Sequence, residues 1–131
     1  MARSRAVAVY TGDEVSHYGF EDHPFSADRI HAFWDEMHVR QLADQVRILH
    51  PAMANEDQLR LFHTPEYVEK VKIYSEAGKG LLDYGDTPAY KGVFEDAAKV
   101  VGTVLDATLK VMSNEVRRVF APIAGLHHSM P

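Results

Sequence analysis

Short β-branched apolar runs alternate along this chain with longer segments of helical period. Ala6-Val7-Ala8-Val9-Tyr10 is a compact run closed by Thr11-Gly12-Asp13, which predicts a first strand. Gly12 to Pro24 has no period and mixes Tyr18, Phe20, His17 and His23 with acidic residues, so it reads as a loop. From about Ala27 to Ala43, Ile30, Phe33, Trp34, Met37 and Leu42 recur at near-helical spacing, with Ser26 or Asp28 as the cap. Val46-Arg47-Ile48-Leu49 alternates like a strand and stops at His50-Pro51.

Beyond it, Asn55 can cap a short helix from Glu56 to Phe62. Thr64, Pro65 and Glu66 begin another: a cap, a proline in the first turn, and an acid at the positive helix end. Gly78 and Gly80 break it, and Leu81 to Tyr90 reads as a loop. The longest periodic segment, about Gly92 to Met112, carries a broad face of Val93, Ala97, Val100, Val101, Val104, Leu105 and Leu109. Asn114 ends it, and Val116 to Ile123 forms a last strand. Strands alternating with helices predict an α/β fold, a short parallel sheet flanked by helices. There is no internal repeat, low-complexity stretch or linker, so residues 1–131 read as one domain.

Composition narrows the classes. The 131 residues are 46% hydrophobic and 25% charged, as in an ordinary globular domain. A formal net charge of -5 without clustered Lys and Arg argues against a nucleic-acid partner. Cysteine is absent, which excludes a disulfide framework and thiolate metal ligands. The apolar stretch after the basic N-terminus ends at Tyr10, too short for a signal-peptide core or a membrane span. The expected location is the cytoplasm.

The candidate chemistry gathers at the far end. His127 and His128 follow the last predicted strand, and in open α/β sheets reactive groups lie just beyond the carboxyl ends of strands. Imidazole exchanges protons near neutral pH, so the pair can serve as general acid and base. On a regular strand the two would face opposite sides, so a shared site needs a turn at Gly125-Leu126; otherwise they are two surface histidines. Asp86, in Tyr84-Gly85-Asp86-Thr87-Pro88, can accept hydrogen bonds from a ligand's amides or stabilise its own turn, the commoner outcome. Arg29 stands near a helix start, where its charge gains nothing from the macrodipole. It can hold a carboxylate or a carbonyl, or be solvated. His17 and His23, with Asp13, Glu14, Glu21 and Asp22, match no metal-ligand spacing and read as a polar loop.

Four pieces in order resemble the amino-terminal part of the histone deacetylase superfamily, particularly its bacterial acetoin-utilisation-type members. They are His23-Pro24 with Arg29-Ile30, then Phe62-His63-Thr64-Pro65-Glu66-Tyr67-Val68, then Tyr84-Gly85-Asp86-Thr87-Pro88, then Gly125-Leu126-His127-His128-Ser129-Met130-Pro131. The resemblance implies part of an arginase-like three-layer α/β/α fold and descent from zinc-dependent enzymes that remove acyl groups from lysine side chains or polyamines. It implies that His127 and His128 are the catalytic pair, that Asp86 grips the substrate backbone at the channel rim, that Arg29 stands near the channel foot, and that Tyr18 belongs to its wall. Ala124 replaces a usual glycine, and Ala121 a frequent asparagine.

In that family the metal ligands, an Asp-x-His pair and a later aspartate, follow the histidine pair, as does the tyrosine that polarises the acyl carbonyl. None stands in these residues, so no metal ligand is expected here and the isolated chain is expected to be inactive. Water away from a metal keeps a pKa of about 15.7, against about 7 when zinc-bound. The alternative is a non-catalytic binding or regulatory module that oligomerises or pairs with a complementary chain. A partner that supplied the missing half would restore the site.

Overall fold

The computed structural model describes residues 6–12, 15, 17–20, 23–85 and 87–122. Among them, three short strands form one parallel sheet: β1 (Val7–Tyr10), β2 (Arg47–Leu49) and β3 (Arg118–Phe120). β1 is central, with order β2-β1-β3; Val9 pairs with Ile48 on one side and Phe120 on the other. The helices are α1 (Asp28–Val39), α2 (Glu56–Leu59), α3 (Pro65–Ala77) and α4 (Val93–Met112).

Alternation along the strands sorts the residues onto two faces. Ala8, Tyr10, Leu49 and Val119 pack with Ala107 of α4 on one. On the other, Phe120 meets Phe33 of α1, ring centroids 5.2 Å apart. Helices therefore flank the sheet, in the expected three-layer order.

Local chemistry explains the helix ends. Asn55 and Gln58 form a reciprocal capping box on α2. The Thr64 side chain accepts the Tyr67 N–H at 3.2 Å, Pro65 opens α3, and Gly78 closes it in the left-handed conformation, φ 65°. Asn114, at φ 59°, follows α4 as expected.

Two boundaries differ from expectation. α1 ends at Val39, not near Ala43, because Gln41 turns left-handed at φ 55° and a 3₁₀ turn, Ala43–Gln45, follows. Leu42 therefore leaves the helix stripe and is partly exposed. Neither Ser26 nor Asp28 caps α1; the N-cap is Ala27, with no side-chain bond. The last strand is also shorter than predicted: Val116 is buried in the core but precedes β3.

α4 is registered at three places by contacts that cross the fold. A Cβ on Gly102 would overlap the backbone of Ala52–Ala54, so only glycine lets that segment cross the helix. The Ala54 N–H then donates to the Ala98 carbonyl (2.9 Å), and the Ala52 N–H to Thr103 Oγ1 (3.2 Å). At the helix start, where Gly92 offers no side chain, buried Ser75 of α3 accepts the Phe94 N–H at 3.1 Å. Toward the other end, Tyr10 donates to Asp106 Oδ2 (2.5 Å), and Lys110 to Oδ1 (2.8 Å).

Candidate active site

Parallel pairing puts the carboxyl ends of all three strands on one edge. The segment leaving β1 does not trail into solvent. Val15, Tyr18 and Phe20 fold back into one core cluster with Ile30 of α1, Leu82, Ala89 and Val93. Tyr18 is 8% exposed and meets Phe20 and Phe25 edge-on at 5.8 and 5.7 Å. Arg29 lies exposed in the first turn of α1, its guanidinium 5.6 Å from the Phe25 ring centroid. The charge that gains nothing from the helix dipole thus rests on an aromatic face. The His23 imidazole accepts the Phe25 N–H through Nδ1 (3.0 Å), which helps fix the same turn.

The second segment, residues 80–89, is more ordered than a plain loop. Leu82 N–H donates to the Thr87 carbonyl (2.9 Å) and Ala89 N–H to that of Gly80 (2.7 Å), around an antiparallel bridge between Leu81 and Pro88. Tyr67 of α3 pins it from outside, donating to the Leu82 carbonyl at 3.1 Å. From inside, Asp83 Oδ1 accepts the N–H groups of Gly85 (3.0 Å) and Thr87 (3.1 Å), while Oδ2 accepts the Thr87 hydroxyl (2.7 Å). Tyr84, 92% exposed, stands beside this knot.

The two segments are tied together. Tyr90 reaches the His17 carbonyl (3.2 Å) and the Asp96 carboxylate (2.9 Å) through its hydroxyl. Burial, and then the Asp96 charge, raise the Tyr90 phenol above its ordinary range. Burial also raises Tyr67, with smaller contributions from Asp83 and Tyr18. Both phenols are therefore neutral at physiological pH and act as hydrogen-bond donors. A groove of about 460 Å³ is lined by Tyr18, Tyr67 and Thr87, and by Val68, Val100 and Val101 from α3 and α4.

Of the predicted site residues, the structure places both Tyr18 and Arg29 against the Phe25 ring. Asp86, His127 and His128 lie outside the described residues. Among the described residues no three His, Asp or Glu side chains gather closely enough to hold a metal ion. Sequence reasoning passed over Asp83 and Tyr90. The signal for Asp83 was present: an acid two residues before a glycine commonly closes a turn through its own carboxylate.

The histone deacetylase domain family matches residues 23–131 of the chain. This chain belongs to that family, as the ordered motifs implied. It is similar to acetoin utilization protein AcuC of Bacillus subtilis (strain 168), 32% identical over 133 residues, 94% of this chain and 34% of that protein. AcuC of Staphylococcus aureus (strain MSSA476) is 30% identical over 136 residues, 98% of this chain and 35% of that one. The crystal structure of the HDA15 HD domain superposes with a TM-score of 0.81 at 19% identity, over 98% of this chain and 39% of that one, a likeness of fold. The chain thus spans 34–35% of the length of the curated relatives it matches. No helix among the described residues is long and apolar enough to cross a membrane.

Proposed function

We propose that this chain is the amino-terminal portion of a cytoplasmic, zinc-dependent deacylase acting on acyl-lysine side chains or acylated polyamines. One observation carries the reading: the segment bearing Tyr18 and the segment bearing position 86 are packed into one core cluster and joined through Tyr90. Those are the two stretches assigned to the wall and rim of a substrate channel. In this reading Asp86 grips the substrate backbone and Tyr18 shapes the wall. Arg29 braces the channel foot, with Phe25 holding its guanidinium. His127 and His128 move protons between water, substrate and leaving amine. Zinc, when bound, supplies the activation of water.

The isolated 131 residues are proposed to be inactive, because imidazoles alone leave water unactivated. The test begins with the coding DNA beyond Pro131. An in-frame Asp-x-His, followed by zinc content and acetyl-lysine hydrolysis in the complete product, supports the reading. Retention of that hydrolysis after His127→Ala sinks it. Tight one-to-one zinc and turnover by the isolated chain would also sink it.

A second reading, a non-catalytic module that self-associates or takes a complementary chain, is favoured by exposed apolar side chains on α4 and, on the opposite face of the sheet, at Phe120. Leu109 is 64% exposed, Met112 75% and Phe120 49%. A groove of about 380 Å³ runs between Val104 and Met112 of α4 and Val119 and Ala121. Contiguous apolar surface beside a strand edge favours association. A monodisperse monomer by light scattering counts against this reading. No nucleic-acid or membrane partner is proposed.

A further inference from the structure

We infer that Asp83 is a positioning residue for substrate capture: its carboxylate holds the amides of Gly85 and Thr87, the chain neighbours of the proposed rim residue Asp86. The inference rests on the deacylase reading and adds to it a residue that contacts no substrate. Oδ1 takes the N–H of Gly85 and that of Thr87, and Oδ2 takes the Thr87 hydroxyl. One carboxylate therefore holds both Gly85 and Thr87, the kind of bond that is strengthened by charge. The ends of the segment are independently held, by the Leu82–Thr87 and Ala89–Gly80 backbone bonds and by Tyr67.

This arrangement has a functional logic. A carboxylate that must meet a substrate's amides loses affinity when its own backbone has to be ordered on binding. Asp83 lowers that cost by ordering the neighbouring Gly85 and Thr87 amides in advance. The exposure of Tyr84 and Gly85 shows that no apolar packing does the same work there. Loss of Asp83 should therefore weaken capture of substrate and leave the chemical step alone.

The test has two arms. In the 131-residue chain, hydrogen exchange of the Gly85 and Thr87 amides is compared between wild type, Asp83→Ala and Asp83→Asn. Asp83→Ala is expected to speed both by about tenfold, the weight of the lost charge-assisted bonds. Asp83→Asn, which keeps one acceptor oxygen, is expected to restore much of the protection. Unchanged exchange overturns the inference.

In the complete reading frame that carries this chain, hydrolysis of an acetyl-lysine peptide is measured for Asp83→Ala, Asp86→Ala and the double variant. The expected result for Asp83→Ala is a KM raised about tenfold with kcat within about twofold, and no further loss in the double variant. A fall in kcat at constant KM, or additive losses, overturns the inference. If Asp86→Ala leaves KM unmoved, the substrate-grip reading itself fails and takes this one with it. The exchange arm still reports separately whether Asp83 holds the turn.

Discussion

α4 and α1 cover opposite faces of one sheet and are held there by different means. α4 is keyed by atoms that tolerate little displacement: bare backbone at Gly102, Ser75 on the Phe94 N–H, and Tyr10 on Asp106. α1 has no side-chain cap and is held by apolar contacts, Phe33 against Phe120 of β3 and Ile30 and Trp34 in the cluster of Tyr18. Directional contacts set the position of a helix, whereas apolar faces set mainly how much surface it buries. The helix fixed in place is the one against which the rim segment and α3 are built. The other borders the loop that carries Tyr18.

Substitution should separate the two modes. Gly102→Ala forces a methyl group into the backbone of Ala52–Ala54 and should cost about 3 kcal/mol in urea unfolding. A cost below about 1 kcal/mol would mean that α4 can shift after all. Tyr10→Phe leaves Asp106 with Lys110 alone and should cost about 2 kcal/mol at neutral pH.

The same pair predicts how stability responds to pH. Burial and then Asp106 raise the Tyr10 phenol above its ordinary value, so the folded chain holds that proton more tightly than the unfolded one. This contribution is intact below about pH 10 and fades as pH rises beyond it. Tyr90 adds to the same alkaline loss. At Asp106 burial pushes the carboxyl up, but the Lys110 and Tyr10 hydrogen bonds and the Lys110 charge outweigh it and leave it lowered. Its contribution is present at neutral pH and disappears as pH falls through the depressed value. Unfolding measured from pH 8 to 11 should slope downward in wild type and more gently in Tyr10→Phe. Equal slopes would detach Tyr10 from the linkage.

Smaller effects complete the contrast. Ser75→Ala removes the acceptor at the start of α4 and should cost about 1 kcal/mol, read from the same urea curves. On the α1 side, Gln41→Gly should stabilise by about 0.5 kcal/mol, since a non-glycine residue there occupies the left-handed region. Destabilisation would show that the Gln41 side chain contributes more than its backbone strain costs.

Much of this architecture was legible in residue order. The three strands, the caps at Asn55 and Thr64, and the stops at Gly78 and Asn114 announce themselves through local chemistry, which is short-range and residue-specific. The end of α1 did not, because Gln41 carries no signal for a left-handed turn and Leu42 continues the apolar period. Contacts distant in sequence were equally silent. Nothing near Gly102 reveals that residues 52–54 cross it, and nothing near Gly92 points to Ser75. At the site, the motif drew attention to Asp86, while the carboxylate holding that turn together is Asp83.

Trp34 is the single tryptophan of the chain, and its indole Nε1 is buried without an acceptor among the described residues. It packs beside Phe33 and His38 on α1 and against the cluster that contains Tyr18. Intrinsic emission therefore comes from one spot, the seam between α1 and the loop leaving β1. A red shift in that light marks α1 lifting away, even while the helical signal of α3 and α4 stays constant, so the protein carries its own optical gauge of its less firmly anchored side.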